Sequence, residues 1–81
     1  MIHSGEIWDV IQSKMPREHW VSLEEIYQMV EMYGSLDADD FEPQSRSSNI
    51  PKWKRNVRNV LQYRKGTGEI IWDRAARYFL P

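Results

Sequence analysis

The basic helical pattern of residues 51–66 constrains the fold of this chain more than any other segment. Its apolar residues recur at the i, i+4, i+7, i+8 spacing of one buried helix face, and they are Trp53, Val57, Val60 and Leu61. The same segment holds six basic side chains and no acidic one. Because a helix of this kind buries its apolar face, the basic positions are expected to point away from the core.

The side chains outside that apolar face suit a nucleic-acid surface. Arginine and lysine match phosphate oxygens and the acceptor edge of guanine, whereas asparagine and glutamine match the donor and acceptor pair of adenine. The set comprises Lys52, Lys54, Arg55, Asn56, Arg58, Asn59 and Gln62. The alternative is an ordinary solvated helix face, because basic surface helices are common and charge alone does not separate the two interpretations.

The residues after this helix favour a winged helix. Residues 66–68, Gly-Thr-Gly, end the helix, and residues 69–72 and 77–80 are rich in the β-branched and aromatic side chains typical of strands. The intervening residues 73–76 contain neither Asn-Gly nor Asp-Gly, so a four-residue loop is expected at the tip. Trp20 and Val21 are predicted to form a short first strand that pairs with this hairpin in a three-stranded sheet.

Two further helices are predicted in the N-terminal half. Ser4 is expected to cap the first helix, and Pro16 marks where it has stopped. Ser22 and Glu25 form the pattern of a capping box at the start of the second, and Gly34 supplies the left-handed residue that commonly closes a helix. The buried face of the second helix is predicted to consist of Leu23, Ile26, Tyr27, Val30 and Tyr33.

Residues 35–50 form a longer connection than the turn of three or four residues in a simple helix-turn-helix. Phe41 is expected to hold this connection to the core, and Ser48 or Asn49 to cap the third helix, while Arg46 is expected among the groups that meet DNA. Its acidic residues are Asp37, Asp39, Asp40 and Glu42. Their spacing lacks the glycine and the terminal glutamate of a calcium loop, so a cation site is not favoured.

The length and composition of the chain limit the number of domains and the classes of protein to which it can belong. A chain of 81 residues allows one small domain, which buries a little over ~60% of its unfolded surface. There is no cysteine, which excludes disulfides and thiolate zinc sites. No apolar run approaches the ~20 residues of a membrane span and no signal-peptide pattern is present, so a cytoplasmic protein without a membrane partner is expected.

The net charge of −1 averages two halves of opposite sign. Residues 1–50 contain ten acidic and three basic residues, which gives −7, and residues 51–81 contain eight basic and two acidic residues, which gives +6. Such a dipole would orient the molecule so that its basic face meets a polyanion.

No catalytic pattern is present. His3 and His19 lie far apart, with no cysteine and no partner at helical spacing, so neither indicates a metal site. The glycines at 66 and 68 lack the context of a phosphate loop, and no activated nucleophile can be recognised. An enzyme, a metal and a cofactor are therefore not expected.

The third helix and wing also resemble a known family. The residues that carry the likeness are Trp53, Arg55, Asn56, Val57, Arg58, Leu61, Gln62, Gly68, Ile70, Trp72, Tyr78 and Leu80. Over residues 51–80 the chain resembles the winged-helix modules that accompany HNH-type and Mrr-type restriction nucleases. The resemblance implies that Lys54, Arg55, Arg58 and Asn59 lie toward DNA, with Arg74 and Arg77 of the wing near a backbone. At the wing tip such modules often carry glycine, and this chain has Arg74, Ala75 and Ala76 instead.

The sequence therefore predicts one α+β winged-helix domain over residues 1–81, which binds double-stranded DNA through residues 51–66 in the major groove. The residues predicted to contact DNA are Lys52, Lys54, Arg55, Arg58, Asn59 and Gln62 of the helix, Arg46 of the loop, and Arg74 and Arg77 of the wing. The expected setting is restriction and defence or transcription regulation, with a nuclease or a regulator as a possible protein partner. The alternative is a protein-interaction module that uses the acidic N-terminal face, because one fold serves many functions.

Overall fold

Three α-helices, a short 3₁₀ helix and three β-strands make up the fold in a computed structural model that describes residues 1–81. In chain order the elements are α1 (Ser4–Lys14), β1 (Trp20–Ser22), α2 (Leu23–Tyr33), the 3₁₀ helix (Ala38–Phe41), α3 (Lys52–Thr67), β2 (Ile71–Trp72) and β3 (Arg77–Phe79). The predicted α+β class and winged-helix layout are confirmed, including the four residues between β2 and β3.

The sheet is antiparallel with strand order β1-β3-β2, so the hairpin strand β3 lies in the middle. Trp20 of β1 and Ile71 of β2 both lie opposite Phe79 of β3. Because side chains alternate across a strand, the next pair, Val21 and Tyr78, faces the opposite side, and Val21 is buried there. The pairing of residues 20 and 21 with the C-terminal hairpin is thereby confirmed.

One apolar core joins all three helices to the sheet. Its buried residues are Ile2, Ile7, Trp8, Val10, Ile11, Met15, Val21, Ile26, Tyr27, Val30, Trp53, Val57, Val60, Leu61, Ile70 and Leu80. The four apolar residues predicted for the third helix are all among them. Trp53 meets the ring of Tyr27 edge-on, with the ring centroids 5.8 Å apart. Burial of one large apolar side chain contributes about 1.5–3 kcal/mol, so this helix face fixes the position of α3.

The N-terminal caps differ in part from the prediction. Ser4 is the first residue of α1 and not its cap, because His3 occupies that position and makes no side-chain bond there. At α2 the Oγ of Ser22 accepts a hydrogen bond from the Glu25 backbone N–H at 3.1 Å, which confirms the serine as the cap. Tyr33 was wrongly assigned to the buried face of α2, since its side chain is exposed.

Gly34 ends α2 in an extended conformation, with φ of −85°, so the predicted left-handed residue is wrong. The position needs glycine for another reason. A Cβ there would lie 2.6 Å from the backbone oxygen of Val30 and 2.9 Å from Cδ1 of Ile2. Close approach of the chain, not backbone conformation, excludes a side chain here.

The end of α3 lies one residue beyond the predicted boundary, because Gly66 remains helical and Gly68 takes the left-handed conformation with φ of 82°. Both Glu69 and Ile70 then donate their backbone N–H groups to the carbonyl of Arg64. These two residues therefore complete the turn after the helix, and β2 begins at Ile71 rather than at residue 69.

The connection over residues 35–50 is anchored by Asp40 and not by Phe41, whose side chain is 55% exposed. The Asp40 carboxylate is fully buried and accepts both the Ile2 N–H, at 3.0 and 3.1 Å, and the Asp37 N–H, at 2.9 Å. A buried carboxylate is stable where it accepts several hydrogen bonds, which explains how an acidic residue replaces the expected aromatic anchor.

Neither Ser48 nor Asn49 caps α3. The Ser48 hydroxyl accepts a bond from the Ile50 N–H, and Pro51 occupies the cap position without a side-chain bond. Backbone bonds from Lys52 N–H to the carbonyl of Glu42 and from residue 44 to residue 50 close the connection at its base. The second half of the loop, residues 42–52, therefore closes on itself before α3 begins.

Candidate nucleic-acid interface

The outer face of α3 presents a line of polar side chains to solvent. Arg55, Asn59 and Gln62 are exposed and follow the i, i+4, i+7 spacing of one helix face, opposite the buried Trp53 and Val57. We call this line the α3 stripe. An α-helix with its side chains is about 10–12 Å across and fits a major groove about 12 Å wide, so these three side chains would face base edges.

Arg55 is held in place by the loop before α3. With its amide oxygen turned toward the guanidinium, Gln44 accepts hydrogen bonds from Nη1 of Arg55 at 2.8 Å and from Nε at 3.3 Å. Arginine has five N–H donors, so this contact restrains the side chain and leaves other donors for a ligand. No pattern in the sequence indicates this contact.

The two lysines predicted to contact DNA lie on the edges of α3. The ammonium of Lys54 is 5.0 Å from the ring centroid of Tyr27 and 5.7 Å from that of Trp53, and its side chain is partly buried. This is the geometry of a cation–π contact. Lys52 is also partly buried, at the point where its backbone meets Glu42. Both lysines therefore flank the α3 stripe and do not belong to it.

Arg58 lies on the edge of α3 that faces the sheet. Burial raises the pKa of the Tyr27 and Tyr78 phenols, and the positive charge of Arg58 opposes that rise at both residues. The side chain of Arg58 is itself exposed. It therefore places a positive charge between the α3 stripe and the strand that carries Arg77.

The wing tip is closed by Asp73, whose Oδ1 accepts the N–H groups of Ala75 at 2.8 Å and Arg77 at 3.1 Å. Arg74 takes a left-handed conformation with φ of 66°, which costs a non-glycine residue roughly 1–2 kcal/mol. The indole N–H of Trp72 donates to the Ala75 carbonyl at 3.2 Å. The Asp73 and Trp72 side chains thus order this turn, and Arg74 and Arg77 remain exposed.

The positive charges of this surface are not neutralised by the protein. Salt bridges join only the N-terminal ammonium to Asp37 and Arg64 to Glu69. None of the seven cationic residues predicted to contact DNA takes part in either pair, and this includes the exposed Arg46 of the loop. A basic surface without internal acidic partners keeps its charge available for an external anion.

The structure adds a cleft of about 560 Å³ that the sequence did not indicate. It lies between residues 1–5 and one edge of α3, where it is lined by Asn56, Asn59 and Tyr63. Tyr63 is 66% exposed. Tyr63 lies four residues after Asn59, on the same side of the helix, and this spacing was the sequence signal that could have indicated the cleft. The cleft extends the polar surface of α3 toward α1.

Arg64 is a structural residue, although it lies among the basic residues of α3. Its Nη1 is 2.7 Å from Oε1 of Glu69, and its guanidinium lies 4.9 Å from the ring centroid of Trp8. The Thr67 hydroxyl donates to the same Glu69 oxygen, and these two hydrogen bonds hold the pKa of the Glu69 carboxyl below its usual value. These contacts fix the junction between α3 and the wing.

No cluster of three or more histidine, cysteine, aspartate or glutamate residues has the geometry of a metal site. The acidic loop uses Asp37 and Asp40 to bind backbone N–H groups. None of the helices has both the length and the apolar character needed to span a membrane.

Comparison with protein-family models, with curated proteins and with solved structures gives no match.

Proposed function

We propose that this domain binds double-stranded DNA, with α3 in the major groove and the β2–β3 wing beside the phosphate backbone. The observation that supports this most directly is the surface of seven cationic side chains without an acidic partner, set around an exposed polar helix face. Phosphate contacts provide affinity and base contacts provide sequence preference. The cationic side chains would therefore supply affinity, and the polar helix face would supply sequence preference.

The α3 stripe is the part of this surface that suits base edges. Arg55 matches guanine O6 and N7, while Asn59 and Gln62 match adenine N6 and N7. With 16 residues, α3 is about 24 Å long at 1.5 Å per residue. Its middle would lie deepest in the groove, and its two ends would come close to the backbones on either side.

The flanking cations suit phosphates. Lys52 and Arg46 lie toward the N-terminal end of α3, Arg58 lies on the edge facing the sheet, and Arg74 and Arg77 project from the wing. Lys54 would bind a phosphate only after leaving the Tyr27 ring, so we assign it a smaller share of the affinity. The resemblance of residues 51–80 to nuclease-associated winged helices supports a restriction, defence or regulatory setting.

The proposal is tested by fluorescence anisotropy of a labelled random duplex titrated with the protein at about 50 and about 200 mM salt. If about five cations each neutralise one phosphate, log affinity falls against log salt with a slope near −4 to −5, a loss of several hundred-fold over this range. The double variant Arg55→Ala/Arg58→Ala should abolish measurable binding at the higher salt.

Arg17→Ala is the matched control, because it removes one exposed guanidinium that lies outside the proposed surface and should leave binding nearly unchanged. Absence of binding by the folded protein at the lower salt would refute the proposal. Equal loss of affinity in Arg17→Ala and in either single α3 variant would refute the assigned surface.

A further inference from the structure

A second cleft, of about 470 Å³, lies between the end of α3 and the wing. It is lined by Lys65, Gly68, Ile70, Ile71, Trp72 and Arg74. Of these residues only Arg74 belongs to the surface already proposed to contact DNA. The cleft therefore joins the tip of the wing to Lys65, a residue of α3 that lies outside that surface.

The lining of this cleft carries two positive charges and no negative one. Lys65 and Arg74 are its only charged residues, and neither forms a salt bridge. The acidic neighbours in the chain do not line it, because Glu69 is bound by Arg64 and Asp73 accepts backbone N–H groups of the wing turn. Like charges that share a cleft repel each other, and an anion offsets that repulsion. The charge of the lining therefore selects an anionic occupant.

The other walls of the cleft are largely apolar. Ile70 is buried and Ile71 is 45% exposed. The ammonium of Lys65 lies 4.3 Å from the ring centroid of Trp72, and this cation–π contact holds the charge beside the cleft. A cleft with walls of low dielectric and charges of one sign focuses its field on a bound counter-ion. The two cations therefore attract an anion more strongly here than on an open surface.

Arg74 reaches the cleft from a strained backbone. Its φ of 66° is a left-handed conformation, which glycine adopts freely and which a residue with a Cβ disfavours. Strain of this kind is concentrated at functional sites, where the side chain is needed. The presence of arginine at this position is thus explained by its guanidinium and not by the turn.

The position of the cleft at the C-terminal end of α3 does not exclude an anion. The carbonyl of Lys65 accepts the Gly68 N–H at 3.2 Å, and the carbonyl of Arg64 accepts the N–H groups of Glu69 at 3.0 Å and Ile70 at 3.4 Å. A helix end carries about half a negative elementary charge when such carbonyls are free. The two full positive charges of the lining outweigh it.

Lys65 also continues the edge of α3 that carries Arg58. The two residues are seven positions apart, which is about two helical turns or 10.5 Å along the axis on nearly the same side. A DNA strand that follows this edge past Arg58 would arrive at the cleft. This continuity favours the phosphates of DNA over other anions.

We propose that the cleft receives the sugar–phosphate backbone of DNA, and that Lys65 and Arg74 each neutralise one phosphate. The inference rests on the proposed function and extends it, because it assigns the cleft and Lys65 to the DNA surface. Phosphate contacts of this kind are independent of base sequence. They would fix the angle between α3 and the groove by holding the strand at the junction of helix and wing.

The test measures the affinity of the whole protein for a labelled random duplex by fluorescence anisotropy at about 50, 100 and 200 mM salt. Each lost phosphate contact reduces the slope of log affinity against log salt by about 0.9 in magnitude. If affinities are equal at about 1 M salt, Lys65→Gln should bind about fifteenfold more weakly than the wild type at about 50 mM and about fourfold more weakly at about 200 mM. Lys65→Arg, which keeps the charge, should restore the slope.

Arg74→Gly separates binding from stability. It removes a charge and relieves the left-handed backbone, so it should reduce the slope by about 0.9 without lowering the melting temperature. Lys65→Gln/Arg74→Gly should reduce the slope by about 1.8. The matched control is Lys14→Gln, because the Lys14 ammonium also rests on an aromatic ring, 4.5 Å from the centroid of Tyr33, but far from the cleft in the fold. It should bind within about twofold of the wild type.

The outcomes distinguish this site from the proposed function. Absence of duplex binding by the folded wild type at the lower salt would overturn both. Duplex binding with an unchanged slope in Lys65→Gln, or an equal loss in Lys14→Gln, would overturn the site alone. So would two competition results: inorganic phosphate, at constant ionic strength, that removes the difference between wild type and Lys65→Gln, or a labelled oligoglutamate that binds as tightly as the duplex. The first would indicate a site for free phosphate and the second a site for an acidic protein segment.

Discussion

Alanine at Gly34 and alanine at Gly66 should change the stability of this domain in opposite directions. A Cβ at Gly34 would lie 2.6 Å from the backbone oxygen of Val30, and that atom cannot move without distorting the last turn of α2. Overpacking of this kind costs about 1–3 kcal/mol. In a domain of this size 1 kcal/mol shifts the melting temperature by roughly 4–8 °C, so we expect Gly34→Ala to lower it by about 8–16 °C for a cost near 2 kcal/mol.

Gly66 provides the comparison. It lies inside α3, and a Cβ there would meet no atom within 4 Å. Alanine is favoured over glycine in a helix interior by about 0.5–1 kcal/mol, so Gly66→Ala should raise the melting temperature by a few degrees. Thermal and urea unfolding followed by circular dichroism and by tryptophan fluorescence measure both shifts in the same buffer.

A double-mutant cycle tests the cause of the Gly34 effect. Ile2→Val removes Cδ1, the atom that a Cβ at residue 34 would approach to 2.9 Å, and by itself should cost about 0.5–1.5 kcal/mol. The cost of Gly34→Ala should be smaller in this background, because one of the two clashes is gone. A Gly34→Ala variant as stable as the wild type would refute the close approach. Strict additivity with Ile2→Val would show that Ile2 takes no part in it.

Three further predictions follow from single contacts. Asp40→Asn replaces a buried carboxylate that accepts two backbone N–H groups with an amide that is partly a donor. It should lower the free energy of unfolding by about 1–3 kcal/mol in urea titrations, whereas Phe41→Ser should change that free energy by less than about 0.5 kcal/mol. Gln44→Ala frees the Arg55 side chain. It should weaken binding of a duplex at about 200 mM salt by roughly two- to tenfold and leave the melting temperature unchanged. A larger effect on the melting temperature than on binding would contradict the role of Gln44 in holding Arg55. Hydrogen bonds lower the pKa of the Glu69 carboxyl in the folded state. The stabilising effect of this carboxylate is therefore present above the unfolded pKa and is lost as pH falls through the folded pKa. Glu69→Gln should accordingly reduce the dependence of the melting temperature on acid pH.

The parts of the fold that the sequence predicted are those encoded by spacing along the chain. The buried face of α3 follows from four apolar residues at helical intervals, and the hairpin follows from two short runs with a turn between them. Such patterns need no knowledge of distant partners. For the same reason the Ser22 cap, which bonds to a backbone group three residues away, was predicted correctly.

Several of the errors concern contacts between residues that are far apart in the sequence. Asp40 lies among other acidic residues and resembles part of a solvated loop, yet its main partner is the N–H of Ile2, 38 residues away. The requirement for glycine at residue 34 depends on the same N-terminal segment. The position of Lys54 over Tyr27 likewise required the packing of α3 against α2. DNA binding itself stays a prediction, supported by unpaired charge and by an exposed helix face.

Arg55 would recognise a base, whereas Gln44 would orient the Arg55 side chain through its hydrogen bonds. Recognition and orientation would therefore belong to two different residues. Sequence preference in such a domain would then be adjustable without any substitution in α3. A library randomised over residues 44–50 on a constant helix, selected against a panel of duplexes, would yield variants of altered preference whose stability is unchanged. The loop before the helix, rather than the helix alone, would be the natural place to engineer a new target.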